Sequence, residues 1–363
     1  MRVARFVSAL TFGVSAILPA AAAAQPTVSG ISGTVGNGQT ITISGASFGT
    51  KTTAAPLISE DFADGLLDSK IVVRGGTFAL NDDNLRHGFS THNARADYKN
   101  SNGYYFGYDN GTAPKWYVQY WIKLASNWHW GTSTFGGGDD GLANIKFFRL
   151  FPTGSRTYSD VGYSTHGFDG GNILRFVENG AQTYLNQNAQ TYFTLGTWHQ
   201  VQVAFGENSG IDQPDGTLKL WIDGVQRDSI TTLVTNVGAD GPAINKRPYI
   251  VGFYDSWSPS DASVANMYAY YSDLYIDTSW SRVELGNAAT YAASTHRETM
   301  IPTVWSAASI SAKIAQGTFN SGDTAYVYVV DSNGAVNASG FRVTVGGTGP
   351  TAPRPPTNVR IIR

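Results

Sequence analysis

The chain opens on strands that lack local partners. Residues 26–33 and 38–51, the second reading Gly38-Gln-Thr-Ile-Thr-Ile-Ser-Gly-Ala-Ser-Phe-Gly-Thr-Lys51, have the two-residue alternation of short half-buried strands. Comparable strands return only near the other end, at 303–314, 324–334 and 341–346. The pattern predicts a small sandwich cut in two. Everything between its halves is then a large insert, and function is expected there.

The first residues belong to no fold. Arg2 and Arg5 make a basic start, residues 6–18 are apolar, and Ala22-Ala23-Ala24 precedes Gln25. This is the pattern of a secretory signal with an A-x-A cleavage site. The apolar run is too short to span a membrane comfortably. An exported chain is therefore expected, secreted or periplasmic. The sequence has no cysteine, which excludes disulfides and thiolate chemistry and suits a bacterial source. A net charge of -2 gives no general attraction to nucleic acid or to anionic membrane.

The middle alternates repeatedly, at 115–124, 145–151, 198–205, 217–222, 249–254 and 269–276. Asp223-Gly224 closes one of these runs with a hairpin-turn signal. No long segment keeps a helical period. With 41 glycines and 13% aromatic residues, the composition favours many short strands joined by tight turns. The expected fold class is all-β: an antiparallel jelly-roll sandwich plus a smaller immunoglobulin-like sandwich. The expected boundaries are 1–24 for the signal, 25–54 and 286–346 for the split module, 55–285 for the insert, and 347–363 for a Pro/Gly-rich tail.

Two resemblances follow. The outer pieces resemble an IPT/TIG domain, an immunoglobulin-like module. The resemblance rests on Ile41-Thr-Ile-Ser-Gly-Ala-Ser-Phe-Gly-Thr, on Trp305-Ser-Ala-Ala-Ser-Ile, and on Gly322-Asp-Thr-Ala-Tyr-Val-Tyr-Val-Val-Asp. The insert resembles the concanavalin A-like lectin/glucanase sandwiches. It does so through Trp116-Tyr-Val-Gln-Tyr-Trp-Ile-Lys, Gly196-Thr-Trp-His-Gln-Val-Gln-Val and Gly216-Thr-Leu-Lys-Leu-Trp-Ile-Asp-Gly. The Trp-His and Leu-Trp-Ile-Asp-Gly pairing is shared by laminin-G-like modules and jelly-roll polysaccharide lyases. That superfold holds lectins, hydrolases and lyases, so the resemblance implies a carbohydrate ligand without fixing the reaction.

Alternation assigns faces. Along 116–124, Trp116, Val118, Tyr120, Ile122 and Leu124 make a core face. Tyr117, Gln119, Trp121 and Lys123 share the other. Aromatic rings stack on the C–H face of a sugar, and amides and cations bind its hydroxyls and carboxylates. Gln200, Gln202 and Trp221 lie on the same open face of neighbouring strands, facing away from Val201, Val203, Leu218, Leu220 and Ile222. Asn144 and Lys146 extend the theme. Arg149 falls among Ile145, Phe147 and Phe151 and needs a partner there. Arg175 completes the substrate-contact set, and Tyr254 is a further candidate. An ordinary solvated sheet face is the plain alternative.

This face is poor in carboxylates. Retaining glycosidases hold two close together, and the hydrolases of this superfold carry Glu-x-Asp-x-x-Glu on one strand, which is absent here. The five glutamates, at 60, 178, 207, 284 and 298, lie outside the best groove strands. A lyase needs other groups. A cation or amide neutralises the uronate carboxylate, and Tyr or His moves the proton. His129 and His166, in Gly-rich loops, are candidate bases beside Lys146 and Tyr254. His199 reads as structural. The chain lacks the Arg-x-Glu-Leu-Arg and Gln-Ile-His strands of the best-known jelly-roll alginate lyases.

No cluster has catalytic zinc spacing and no EF-hand loop occurs. No cofactor is required. Acidic turns at Glu60-Asp61, Asp139-Asp140 and Asp273 to Asp277 are candidate seats for a structural Ca²⁺. The reading is a monomeric exported protein whose partner is an extracellular polysaccharide, without nucleic acid or membrane insertion. Cleavage by β-elimination of a uronate-containing polymer leads. A non-catalytic lectin or adhesion protein is the alternative, and a glycoside hydrolase is third.

Overall fold

The computed structural model describes residues 24–74, 77–97, 105–109, 111–128, 144–152, 159–164, 173–178, 181–236, 246–250 and 268–348. In the strands at 144–146, 151–152, 159–164, 173–178, 181–188 and 246–250 it describes the backbone path. The protein is all-β, with antiparallel pairing among the described strands and short helical turns at Ala189–Tyr192 and Tyr291–Ala293. Among the described residues no helix is long and apolar enough to cross a membrane.

The first sheet gathers strands from both ends of the chain. Its order is β1 (Thr27–Ser32), β2 (Thr40–Ala46), β20 (Ser309–Lys313), β19 (Arg297–Trp305), β18 (Arg282–Gly286), β21 (Thr324–Val330) and β22 (Phe341–Thr344). Ile41 pairs with Ala312 and Ile43 with Ile310, and all four are buried. Strand β19 pairs with β18 over its first half and with β20 over its second, so it turns the corner between two halves of the sheet. Ile31, Ile41, Ile43 and Phe48 share one core with Val283, Leu285, Met300, Val327 and Val343. Buried Val35 exchanges backbone hydrogen bonds with Gly346 and Gly347, which closes the unit at the far edge.

The other two sheets form a sandwich. One has the order β15 (Val225–Leu233), β14 (Gly216–Ile222), β13 (Trp198–Gly206), β8 (Lys115–Leu124), β17 (Tyr268–Asp277), β6 (Asn93–Asp97) and β5 (Thr77–Asn81), with β3 (Ile58–Glu60) paired to β17. The opposing sheet runs β12 (Ala181–Asn188), β11 (Ile173–Glu178), β10 (Ser159–Ser164), β9 (Asn144–Pro152), β16 (Lys246–Ile250), β7 (Tyr105–Tyr108) and β4 (Ile71–Arg74). Trp116, Val118, Tyr120, Val203, Phe205, Leu218 and Leu220 meet Phe147, Phe148 and Leu150 in the shared core. Phe147 stacks on Phe193 with ring centroids 4.6 Å apart. The core faces expected for β8, β13 and β14 are therefore the ones that pack, whereas Phe148, expected on the groove face with Asn144 and Lys146, lies in the core.

Strand β9 departs from simple alternation. Its register with β10 slips between Val161 and Gly162, opposite Phe148 and Lys146, so Phe147 is the extra residue of a bulge. Phe147, Phe148 and Leu150 are all buried in the core. Arg149, between Phe148 and Leu150, is thereby carried to the opposite side of the strand. The expectation that Arg149 shares a core face with Phe147 is corrected: unbroken alternation counts one residue too few.

The Asp223-Gly224 hairpin forms as its sequence predicts. Both residues have positive φ, 50° and 68°, as a two-residue hairpin turn of this kind requires. Asp223 also accepts the Gln200 backbone N–H (2.9 Å) and pairs with His199 Nδ1 at 2.7 Å. His199 Nε2 lies 3.2 Å from the Thr194 carbonyl. Both ring nitrogens thus have structural partners.

Candidate functional site

The central sheet of the protein is the one holding β8 and β13. Its inner face is the sandwich core, and its outer face is covered by the unit built from the chain ends. The expected sugar platform is therefore closed over most of its area, with a cleft left at its β14 edge beside Trp221. Tyr117, Gln119, Gln200 and Gln202 are at most 2% exposed, Trp121 is 6% exposed and Trp221 8%. Only Lys123, at the strand end, is half-buried. Polar alternation signals a partner for polar groups, and here the partner is protein rather than water or sugar.

The covering is a buried polar layer. Gln202 Nε2 donates to Tyr117 Oη at 2.7 Å and to Glu284 Oε1 at 2.9 Å, while its Oε1 accepts from Arg297 at 2.9 Å. Gln200 donates to the Arg297 carbonyl at 2.6 Å. Gln119 donates to the Asp273 carbonyl at 3.0 Å. Arg282 donates to Glu284 at 2.8 Å, and Arg297 lies 3.3 Å from its other oxygen. Burial pushes the Glu284 carboxyl up, but Arg282 and Arg297 together outweigh it and hold its pKa below the usual value.

A second ionic group lies near Trp121. Arg86 grips Glu298 with two hydrogen bonds of 2.8 and 2.9 Å and donates to Asp273 at 2.6 Å. Its guanidinium sits 4.3 Å from the Trp121 ring centroid. His87 pairs with Asp273 at 3.1 Å and His296 with Glu298 at 2.9 Å. For Asp273 and Glu298 burial again raises the pKa, and Arg86 with the neighbouring histidine overturns it and lowers both. A glycosidase acid needs a raised pKa. Glu284 and Glu298 are lowered and locked, which disfavours a hydrolase on this face.

In the described candidate calcium seats, Glu60 and Asp277 have protein partners. Both Glu60 oxygens accept backbone N–H groups, from Phe62 at 2.7 Å and Asp68 at 2.6 Å. Asp277 pairs with Lys51 at 2.7 Å. Asp139-Asp140 lies outside the described residues. Among those described, no group of three or more potential ligands could hold a metal.

The remaining described candidates lie on strands of the opposing sheet, from β12 to β4. The backbone register sets Lys146, Gly162, Arg175 and Tyr184 in one line across β9, β10, β11 and β12. The neighbouring line runs Tyr249, Arg149, Asp160, Val177 and Gln182. Asn144 lies opposite Ser164, two positions beyond Lys146. Arg149 is buried at 8% exposure. The candidates Asn144, Lys146 and Arg149 on β9 and Arg175 on β11 thus flank β10 on its two sides. Sequence reasoning missed Tyr184, Gln182 and Tyr249. The polar run Ala181-Gln-Thr-Tyr-Leu-Asn-Gln-Asn, with its central Tyr, was the available signal. His129, His166 and Tyr254 lie outside the described residues.

No protein-family model matches the chain, and no curated protein matches it. Among solved structures it is similar to an endo-β-1,4-glucuronan lyase from the fungus Trichoderma reesei, at 15% identity over 62% of this chain and 96% of that one, with a TM-score of 0.40. It is also similar to a variant of the alginate lyase Aly36B in complex with an alginate trisaccharide, at 12% identity over 62% and 99%, TM-score 0.39. A third neighbour is the binding domain of botulinum neurotoxin DC in complex with rat synaptotagmin II, at 10% identity over 77% and 72%, TM-score 0.37. Polysaccharide lyases and a toxin binding domain thus stand together among its structural neighbours.

Proposed function

We propose that this chain is an exported protein that binds a uronate-containing polysaccharide on the sheet from β12 to β4 and cleaves it by β-elimination. The observation that carries the reading is the backbone line of Lys146, Gly162, Arg175 and Tyr184. In the backbone register it aligns two cationic positions and a tyrosine, with no carboxylate position in the line. A glycine between the two cationic positions leaves room for a sugar ring to approach the sheet.

Each residue type has a task. Lys146 and Arg175 neutralise the uronate carboxylate, which stabilises the carbanion-like charge that develops at C5. A base removes the C5 proton, the freed electron pair forms the C4–C5 double bond, and the C4–O bond breaks. The leaving oxygen takes a proton from an acid. Tyr184 is the proposed proton-transfer group on the sheet, with His129, His166 and Tyr254 as the loop candidates for its counterpart. In this reading residues 25–54 and 286–346 form an IPT/TIG-like module that carries the sandwich, and the protein acts as a monomer.

The test is ultraviolet absorbance of the unsaturated uronate while the mature protein is mixed with alginate, glucuronan, pectate, ulvan and heparin-like glycans. Growth of the signal on one polymer supports the lyase and names its substrate class. A flat trace with retention on one immobilised glycan converts the same surface into a lectin site.

A further inference from the structure

The cover over the outer face of the central sheet is not continuous. Beside β14 a cleft of about 440 Å³ separates the sandwich from the unit of the chain ends. That volume falls within the roughly 300–1,000 Å³ of small-ligand pockets. Its walls carry Trp221, Trp280, Tyr291, Lys219, Arg282 and Gln226.

Two features give the cleft a chemistry. The first is aromatic. Trp280 is pinned by hydrogen bonds from Nε1 to the Trp116 and Phe205 carbonyls, both 3.1 Å. Trp221 borders the same space. Fixed indole faces suit the C–H face of a pyranose ring. The second is charge. Among the described residues, no Asp or Glu lines the cleft. Arg282 is already matched by Glu284. Lys219 Nζ sits 5.6 Å from the Trp280 ring centroid, and no carboxylate pairs with it among the described residues. Gln226, exposed on the rim, supplies an amide for hydroxyl groups.

We infer that this interlayer cleft is a second carbohydrate site, taking an acidic sugar unit of a short oligouronate, with Lys219 against its carboxylate and the two indoles against its ring. The site lies on the other side of the central sheet from the proposed cleavage surface. It shares that reading's ligand class and none of its residues.

The experiment uses the full mature chain with ¹⁵N-labelled tryptophan. The sequence has nine tryptophans, and Trp221→Phe assigns the Trp221 indole signal by its loss. Digalacturonate should shift the Trp221 signal saturably. Its dimethyl ester and inorganic phosphate should not. Lys219→Gln should weaken the titration about tenfold or more, as expected for loss of a charged hydrogen-bond partner. Elimination rates measured on the same preparations should be unchanged by Lys219→Gln. A Trp221 signal that does not move, an equal response to the ester or to phosphate, or full affinity in Lys219→Gln overturns the inference. A protein without eliminase activity that still shows the Lys219-dependent shift retains this site and loses only the cleavage reading.

Discussion

Tyr117 donates its phenol proton to Glu284 across 3.2 Å, joining residues 167 apart in sequence. Neither side chain reaches solvent. Burial drives the Tyr117 pKa well above its ordinary value, so it stays a donor at any ordinary pH. This bond lies at the centre of a layer in which the sandwich and the chain-end unit satisfy each other's polar groups. The two are therefore coupled energetically as well as covalently.

The coupling is testable by removing the shared acid. Glu284→Leu leaves Arg282 and Arg297 buried without their counter-charge and strips Tyr117 and Gln202 of an acceptor. Breaking a buried pair in this way costs about 3–5 kcal/mol. Urea unfolding of the mature protein should show a correspondingly lower midpoint for both halves together. A midpoint equal to wild type, or loss of structure in the chain-end unit alone, would contradict the coupling.

Acid should weaken the same layer. Asp273, Glu284 and Glu298 all have folded pKa values below their ordinary ones. A lowered carboxylate pKa contributes stability that is complete above the unfolded value, about 4, and is lost as pH falls through the folded value. Stability should therefore be flat with respect to these groups above about pH 5 and decline below about pH 4. Glu298→Gln should be less stable than wild type near neutrality, with the gap closing as the medium is acidified. A gap that stays constant down to acid unfolding would refute the assignment.

The sequence revealed strands more readily than surroundings. The alternation in 116–124 and 198–205 assigned Trp116, Val118, Val203 and Phe205 to the core, where they lie. The same alternation marked Tyr117, Gln119 and Gln202 as polar-facing, which is also so, but read polar as open. Nothing local distinguishes a polar face bathed in water from one matched by Arg297 and Glu284, because the matching groups lie some 80 to 170 residues away. The β9 bulge was hidden for a related reason. It is defined by the partner strand's register at Val161 and Gly162 and not by β9 itself. Legible local rules reached their limit where long-range pairing took over.

The hairpin turn has a tertiary role that its dipeptide signal does not carry. A Cβ on Gly224 would lie 2.4 Å from the Ser294 carbonyl oxygen and 3.0 Å from Thr295 backbone. The backbone there also has φ of 68°, which costs an L-residue about 1–2 kcal/mol by itself. Gly224→Ala should lower stability by at least about 2 kcal/mol, and thermal unfolding will report it. A loss no larger than the conformational term would mean that the turn and the Ser294 segment can part freely.

The sharpest division between the two faces of the sandwich comes from a pair of substitutions. If cleavage occurs at the line of Lys146, Arg175 and Tyr184, then Tyr184→Phe removes one hydroxyl and with it a proton-transfer group. General acid–base groups contribute about 10²–10⁴-fold. The elimination rate should fall by that order, mainly in kcat, while the thermal midpoint stays near wild type. Gln202→Ala makes the opposite demand. It takes the Oε1 acceptor from Arg297 and two hydrogen bonds from Tyr117 and Glu284, inside a layer closed to polymer. Leaving buried groups unsatisfied costs about 1–3 kcal/mol, so stability should fall while the kcat of the folded fraction holds. If Gln202→Ala instead abolishes turnover at unchanged stability, the polymer reaches the covered face, the two units must separate in solution, and the site belongs on β8 and β13 after all.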